Sequence, residues 1–211
     1  MLTPTQSTSL LVVAPHPDDE IIGCGGLIQT VLSAGGAVDV VIVSDGAASH
    51  PGSRSYPARK LAETRRQESR AALAHVGVAP DRIEFLDLPD GGSSDWVLPN
   101  RAAQRLKRPV DWVALPSRLD DHPDHRRTTE LVTPHLRCRQ ALHYLVWPIT
   151  GCPGPKETVR IDIEACRERK AEALRKYRTQ LGLIEDSPDG FTITDALFDR
   201  FTQPVERFYA R

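Results

Sequence analysis

Two short segments of the sequence combine histidines with carboxylates. In PHPDDE (15–20), His16 and Asp19 are three residues apart, so an imidazole nitrogen and a carboxylate oxygen can both face one cation. The second segment, LDDHPDH (119–125), has a similar layout. Its candidate ligands are His122, Asp124 and His125. Because catalytic zinc takes three protein ligands and leaves one position open for water, the two segments together predict a zinc site.

The chemistry predicted for such a site is hydrolysis of an amide. Zinc lowers the pKa of bound water to about 7, and a nearby carboxylate can accept its proton during attack on a carbonyl carbon. From the residues alone, either Asp18 or Asp19 could be that base. In a competing interpretation, Asp18, Asp19 and Glu20 only cap the helix that begins near Ile21. Capping explains neither His16 nor the second segment.

Strands and helices are predicted to alternate along the first two thirds of the chain. Apolar, β-branched runs predict strands at 10–14, 38–43, 83–88, 112–115 and 142–147. Helical periodicity predicts helices at about 20–34, 57–76, 100–107 and 124–137, and a charged helix at 163–180. This alternation predicts an α/β, Rossmann-like fold with a mostly parallel sheet and helices on both faces, in a single domain over 1–211.

Polar clusters follow the first four predicted strands. They are PHPDDE (15–20), SDG (44–46), LPDGG (88–92) and LDDHPDH (119–125). The carboxyl ends of parallel strands meet at one edge of a sheet, where ligands bind in this architecture. We therefore expect the four clusters to converge on one site.

PHPDDE followed by HPDH (122–125) resembles the PIG-L/LmbE family of zinc-dependent N-deacetylases. Weaker support comes from SDG (44–46), the Arg65 to Glu68 spacing followed by Gly77, LPDG (88–91) and KYRTQ (176–180). The resemblance covers residues 10–180. It implies removal of an N-acetyl group from an N-acetylglucosamine-containing small molecule or glycoconjugate, with Zn²⁺ as cofactor and Fe²⁺ as an alternative.

The resemblance also implies roles for individual residues. The implied metal ligands are His16, Asp19 and His125. Asp18 is the implied general base. His122 is implied to stabilise the oxyanion or to protonate the leaving amine, with Asp124 orienting its imidazole.

Arg65 and Asp90 are the implied contacts to sugar hydroxyls. Each has a structural alternative, since Arg65 could pair with Glu68 on a helix surface and Asp90 could belong to an ordinary turn. Arg66 could also take the place of Arg65.

One departure from the family pattern precedes HPDH, where Asp120 and Asp121 stand at positions that are aromatic or neutral in some relatives. Assistance to the oxyanion by a tyrosine is therefore not expected. His135 and Cys138, three apart in a predicted helix, are a weaker candidate for a second metal site.

Other residues are candidates for the substrate pocket. The Pro/Gly-rich stretch at 49–57 is predicted to be a long surface loop that covers the site, with His50 and Tyr56 as weak candidates for contact. Trp96 is the preferred tryptophan for a sugar platform, whereas Trp112 and Trp147 are predicted to pack in the core.

The composition favours a small-molecule substrate. Lys and Arg total 27 against 28 Asp and Glu, so no summed field favours nucleic acid. The N-terminus lacks a basic region before its apolar run and no stretch is long enough to cross a bilayer, so a cytoplasmic protein without membrane insertion is expected. The four scattered cysteines are expected to be reduced.

Two other functions remain as alternatives. The same zinc chemistry could cleave a larger amide, such as a thiol conjugate or a long-acyl glycopeptide. A module that binds a nucleotide or sugar without turnover would be expected to lack a catalytic residue, and here every implied position is filled.

Overall fold

A seven-stranded sheet runs through the residues that the computed structural model describes, 2–148 and 156–209. The strands are β1 Ser9–Ala14, β2 Ala37–Ser44, β3 Ile83–Leu88, β4 Val110–Pro116, β5 Cys138–Tyr144, β6 Glu157–Asp162 and β7 Val205–Tyr209. The α-helices are α1 Asp19–Ser33, α2 Ala58–His75, α3 Asn100–Leu106, α4 Pro123–Val132, α5 Arg167–Leu174 and α6 Asp195–Phe201. The strand order is β3-β2-β1-β4-β5-β7-β6, and the first five strands pair in parallel.

The central strand β1 is buried on both faces, as its aliphatic sequence predicts. Its side chains alternate, so Leu10 and Val12 join one apolar cluster while Leu11 and Val13 join the other. Helices α1, α2 and α5 contribute to the first cluster, and α3 and α4 to the second. The predicted α/β class, with a mostly parallel sheet covered on both faces, is confirmed. Within the described ranges, no helix is long and apolar enough to cross a membrane.

The predicted helix at 124–137 is wrong in its second half. Helix α4 ends at Val132, and Thr133–His135 form a 3₁₀ turn. Pro134 explains the stop, because proline disfavours helical geometry in the residue before it and lacks an amide hydrogen. Cys138 then begins β5. His135 and Cys138 are thus not neighbours on a helix, and the interpretation of them as a helical metal pair is wrong.

The last third also departs from the prediction. The charged helix expected at 163–180 is divided into a 3₁₀ turn at Glu164–Cys166, the short α5, and a second 3₁₀ turn at Arg178–Gln180. Tyr177 stands between the last two with ψ at 62°, outside the helical region, and its hydroxyl donates to Glu20. A tertiary contact here overrides helical periodicity. Strands β6 and β7, which pair in antiparallel fashion, were not predicted.

A buried ion pair fixes α1 against this last third. Lys170 Nζ lies 2.7 Å from Glu206 Oε1 and also donates to the carbonyl of Ile22. The Glu206 carboxylate accepts hydrogen bonds from the backbone N–H groups of Gly26 and Leu27, in the middle of α1. Each charge is therefore paired and hydrogen-bonded, as burial requires. These contacts with α5 and β7 fix α1, the helix that carries Asp19 in its first turn.

Candidate active site

The polar segments converge where the strand order reverses. The chain passes from β1 to β2 and β3 on one side, then returns to β4 and β5 on the other side of β1. Crevices for ligands form at such a switch point, at the carboxyl ends of the strands. PHPDDE (15–20) follows β1 and LDDHPDH (119–125) follows β4, so the two segments face each other across this crevice.

The carboxylate of Asp19 lies between the rings of two histidines. Asp19 Oδ2 lies 3.1 Å from His16 Nδ1 and 3.1 Å from His125 Nε2. His125 is fully buried, and within the described residues neither of its ring nitrogens makes a well-aligned hydrogen bond, although carboxylates lie close to both. One ring nitrogen from each of His16, His122 and His125 falls within a 4.8 Å group. Imidazole nitrogens and a carboxylate oxygen in this arrangement fit a divalent transition metal.

The far nitrogen of each of these two histidines faces carboxylates. His16 Nε2 lies 3.2 Å from Asp90 Oδ1 and 3.3 Å from Asp124 Oδ2, and His125 Nδ1 lies 3.2 Å from Asp120 Oδ2. Metal-ligating histidines commonly have such a partner, which fixes the orientation of the ring. His16, Asp90 and Asp124 could also be grouped as a separate donor set. In the set with Asp19 and His125, both rings have this support.

Asp120 has a place in the site that sequence reasoning did not assign to it. The side chain is fully buried. Its Oδ1 accepts from the backbone N–H of His122, and its Oδ2 accepts from those of Val146 and Trp147. Asp120 therefore joins the turn after β4 to the end of β5 while facing His125. The departure noted in the sequence, a carboxylate two residues before His122, was the available signal.

Asp18 lies beside the donor group in a strained backbone conformation. Its φ is 128°, which costs a non-glycine residue about 1–3 kcal/mol and is seen most often at functional sites. The backbone N–H of Asp18 donates to Glu20 Oε2 at 2.9 Å, and Glu20 Oε1 accepts from the hydroxyl of Tyr177. Burial raises the pKa of Asp18 to about 8, although the nearby Arg65 cation opposes the shift.

Arg65 is buried and is bound to the turns that carry the site. Its guanidinium donates to the carbonyls of Pro17 and Gly46, and Nη2 lies 3.1 Å from Asp18 Oδ2. Gly46 has φ at 68°, and a Cβ there would lie 2.6 Å from Arg65 Nη1, so only glycine fits beneath this guanidinium.

The structural alternatives for Arg65 do not hold. Glu68 accepts hydrogen bonds from Thr179 and forms no surface pair with Arg65. Arg66 pairs with Asp87 and lies over Phe85.

His122 is suited to donate a hydrogen bond. Burial, followed by the charges of His16 and His125, lowers the pKa of His122, so its ring is neutral near pH 7. Its Nδ1 accepts from the backbone N–H of Asp124 at 3.2 Å. This assigns the ring proton to Nε2. The expected link between His122 and Asp124 is therefore made by the backbone of Asp124.

The carboxylates of Asp124 and Asp90 bracket His16. Asp124 Oδ2 also accepts from the N–H of Gly91, and Asp90 Oδ2 accepts from that of Ala48. Burial, the largest single influence, raises the pKa of both carboxyls. The hydrogen bond to His16, its charge and the backbone donors together lower the pKa below its ordinary value, so both carboxyls are held ionised. For His125, burial lowers the pKa, but Asp19 and Asp120 outweigh burial and raise it to about 9.

A cavity of about 450 Å³ opens onto this cluster. It is lined by His16, Asp18, Asp19, Ile22, Ala48, Ser49, Arg65, Asp90, Gly91, His122, Trp147, Gln180 and Phe191. Six of the eight predicted site residues are among these, and Asp124 and His125 lie behind them, within reach of His16 and Asp19. The chemical roles of all eight stay predictions.

Trp112 packs against the core as expected, but the expectation for Trp96 was wrong. Trp96 is buried and donates its indole N–H to the carbonyl of Pro89, away from the cavity. Trp147 packs against the core on one side, as expected, but it is partly exposed and also lines the cavity. The loop at 47–57 contributes Ala48 and Ser49 to the wall, whereas His50 is buried behind Ser49 and bonds to its hydroxyl.

Fold and site together define a Rossmann-like α/β protein with a histidine and carboxylate centre at its switch point. The family described as PIG-L, GlcNAc-PI de-N-acetylase, matches residues 11–136, and the chain belongs to this family. None of the curated proteins compared with the chain matches it.

Three solved structures illustrate the similarity of the fold. N,N'-diacetylchitobiose deacetylase from Pyrococcus horikoshii is 22% identical, with a TM-score of 0.67 over 96% of this chain and 83% of that one. The conserved protein TT1542 from Thermus thermophilus is 25% identical, with a TM-score of 0.69 over 95% and 93%. GalB, the 4-carboxy-2-hydroxymuconate hydratase from Pseudomonas putida KT2440, is 19% identical, with a TM-score of 0.70 over 92% and 83%. Because a hydratase shares the fold, the fold by itself does not specify the reaction.

Proposed function

We propose that this protein is a zinc-dependent hydrolase that removes the N-acetyl group from an N-acetylglucosamine-containing small molecule or glycoconjugate. The observation that carries the proposal is the position of Asp19 Oδ2, 3.1 Å from a nitrogen of both His16 and His125, with Asp18 beside them at the cavity. Iron(II) is the alternative metal, because imidazole and carboxylate donors also suit it.

The residues of the site divide the chemistry between them. When bound there, a divalent metal would lower the pKa of a coordinated water to about 7, polarise the acyl carbonyl and favour the ionised form of nearby carboxyls. Asp18 is the proposed base that accepts the proton of the attacking water. The Nε2–H of His122 is the proposed hydrogen-bond donor to the oxyanion, and the proton that Asp18 accepts from water is the proposed source of the proton for the leaving amine. Asp124 and Asp120 are proposed to orient His16 and His125.

The substrate class is proposed from the family and from one similar structure. The family description names a GlcNAc-PI de-N-acetylase, and the deacetylase from P. horikoshii acts on diacetylchitobiose. Arg65 and Asp90 both line the cavity and are the proposed contacts to sugar hydroxyls. A volume of about 450 Å³ is within the range of small-molecule sites, roughly 300–1,000 Å³.

Release of a primary amine from N-acetylglucosamine and from N,N'-diacetylchitobiose tests the proposal. The protein is assayed as purified, after treatment with a chelator, and after reloading with Zn²⁺ or Fe²⁺. We expect turnover to disappear with the chelator and to return with metal. Turnover that persists in excess chelator would refute the metal-dependent reaction, and no amine release from either sugar by the loaded protein would refute the substrate class.

Two variants make the test specific for Asp18. Asp18→Asn keeps the size of the side chain but cannot accept a proton, so turnover is expected to fall by about 100-fold or more. Asp81→Asn is the matched control, because Asp81 is exposed in a 3₁₀ turn outside the cavity. Equal turnover of the two variants would refute the assignment of the base.

A further inference from the structure

Two aromatic side chains form one wall of the cavity, and the proposed chemistry does not use them. Trp147 and Phe191 lie edge to face, with ring centroids 5.8 Å apart and planes at 90°. Both are partly exposed, and both line the cavity that contains His16 and Asp18. We call this pair the aromatic wall.

Trp147 is fixed relative to the metal donors. Its backbone N–H donates to Asp120 Oδ2 at 3.0 Å, and the same oxygen lies 3.2 Å from Nδ1 of His125. Its ring packs edge to face on Phe201 at 5.9 Å, and the guanidinium of Arg200 lies 5.4 Å from its centroid. A single carboxylate therefore links the aromatic wall to the reaction centre.

Phe191 is held by the loop at 47–57. Its backbone N–H donates to the carbonyl of Ser49 at 2.8 Å. Five residues earlier, Asp186 accepts four hydrogen bonds from residues 53–55 of the loop, at 2.6 to 2.9 Å. The loop and the segment 186–191 thus form one unit, which presents Ser49 and Phe191 to the cavity.

We propose that the aromatic wall binds the apolar face of the pyranose ring that carries the acylamino group. This inference rests on the proposed function and specifies which part of the substrate the wall recognises. The same cavity offers the carboxylate of Asp90, the backbone of Gly91 and the hydroxyl of Ser49. A pyranose matches this combination, because it has an apolar C–H face and a rim of hydroxyls. A pyranose could add hydroxyl contacts to these groups, whereas an extended acyl chain on the wall would remove water from them without replacing it, which is costly in a partly buried site.

The wall is tested with a ring and its open-chain counterpart. N-acetylglucosamine and N-acetylglucosaminitol carry the same N-acetyl group, but only the first has a ring face. We expect wild type to favour the ring in kcat/KM by about 3- to 10-fold, the range of one aromatic contact. Trp147→Leu and Phe191→Leu keep apolar bulk without an aromatic face, and the preference is expected to disappear in both.

Two comparisons complete the activity test. Phe198→Leu is the matched control, since Phe198 is partly buried in α6 and does not line the cavity, and its ring preference should equal that of wild type. N-acetyl, N-butanoyl and N-hexanoyl glucosamine vary the acyl chain on one sugar, and their relative rates should not change in the wall variants. A ring preference that survives in both wall variants would overturn the proposal. So would a change in the relative rates that follows acyl length instead.

Binding without turnover separates failure of the wall from failure of the proposed reaction. Tryptophan fluorescence of the chelator-treated protein is titrated with glucosamine and with its open-chain counterpart, glucosaminitol. Stronger binding of the ring, lost in Phe191→Leu, supports the wall even if no amide is hydrolysed. Equal binding of ring and open chain by wild type would overturn the wall even if deacetylation is observed.

Discussion

The two ends of the cavity are built in different ways. At the metal-donor end, His16 and His125 are buried, and each has a carboxylate at both ring nitrogens. At the aromatic end, Trp147 and Phe191 are partly exposed and are positioned through their backbone N–H groups. The first arrangement fixes the orientation of the histidine rings. The second fixes the backbone of Trp147 and Phe191, so their side chains can be replaced without loss of that hydrogen bond. Substitutions at the first end should therefore abolish turnover, and those at the second should alter discrimination among substrates.

The largest effect is expected for His125→Ala. The change removes a fully buried candidate ligand, so bound metal should be lost and turnover should fall by about 1,000-fold or more. Elemental analysis and amine release on the same preparation measure both quantities. His135→Ala, which alters a histidine in the 3₁₀ turn after α4, should retain wild-type metal content. Full metal content in His125→Ala would contradict the proposed ligand set.

Asp120→Asn sharpens the comparison, because Asp120 contacts both ends of the cavity. Neutralising the carboxylate beside His125 Nδ1 should weaken metal affinity by about 10- to 100-fold. The preference for a sugar ring should decrease as well, since the N–H of Trp147 loses a charged acceptor. Competition with a fluorescent chelator measures the affinity.

The neighbouring carboxylate provides the control. Asp121 is exposed, so Asp121→Asn should match wild type in both measurements. If the two variants had the same metal affinity, Asp120 would have no orienting role.

The effect expected for Tyr177→Phe is smaller and is confined to turnover. The hydroxyl of Tyr177 donates to Glu20, which in turn accepts from the backbone N–H of Asp18. Loss of this hydroxyl should lower kcat by about 3- to 10-fold and leave KM and metal content unchanged. Steady-state kinetics separate an effect on kcat from an effect on KM, and Tyr209→Phe, on β7, is the control. An increase in KM with constant kcat would show that Tyr177 does not act through Asp18.

Asp186→Ala should have the smallest effect, confined to the aromatic end. Without the acceptor for residues 53–55, the loop that carries Ser49 should hold Phe191 less firmly. We expect KM to rise by about two- to threefold with kcat unchanged. Asp189→Ala, at an exposed position three residues later, serves for comparison. A fall in kcat at constant KM would mean that the loop acts on the metal-donor end.

The sequence is informative about the metal-donor end because that end follows strongly apolar strands. Strands β1 and β4 could be predicted from their buried runs, so the segments after them could be assigned to one edge of the sheet. The resemblance assigned the base to Asp18 and a metal ligand to Asp19, a choice that spacing alone could not make and that stays a prediction. Asp120 was noted as a departure, but its contacts with the ends of β4 and β5 exist only in the folded chain.

The aromatic end could not be predicted, because tertiary contacts determine it. Phe191 belongs to an irregular segment whose position depends on the contacts of Asp186 and Ser49 with distant parts of the chain, and no helical or strand periodicity marks it. Trp96 follows the polar run GGSSD, and Trp147 ends the apolar run LHYLVW, so the sequence pattern favoured the wrong tryptophan for the cavity. The alternating but polar sequence of β6 likewise resembles a loop until it pairs with β7.

Metal stoichiometry and amine release, measured on the same samples of wild type and Asp18→Asn, test the central claim most directly. The account predicts about one metal ion per chain in both proteins, with turnover of an N-acetylglucosamine substrate only in wild type. A well-folded wild-type protein that binds no metal, or an Asp18→Asn variant that loses its metal or keeps full turnover, would contradict it.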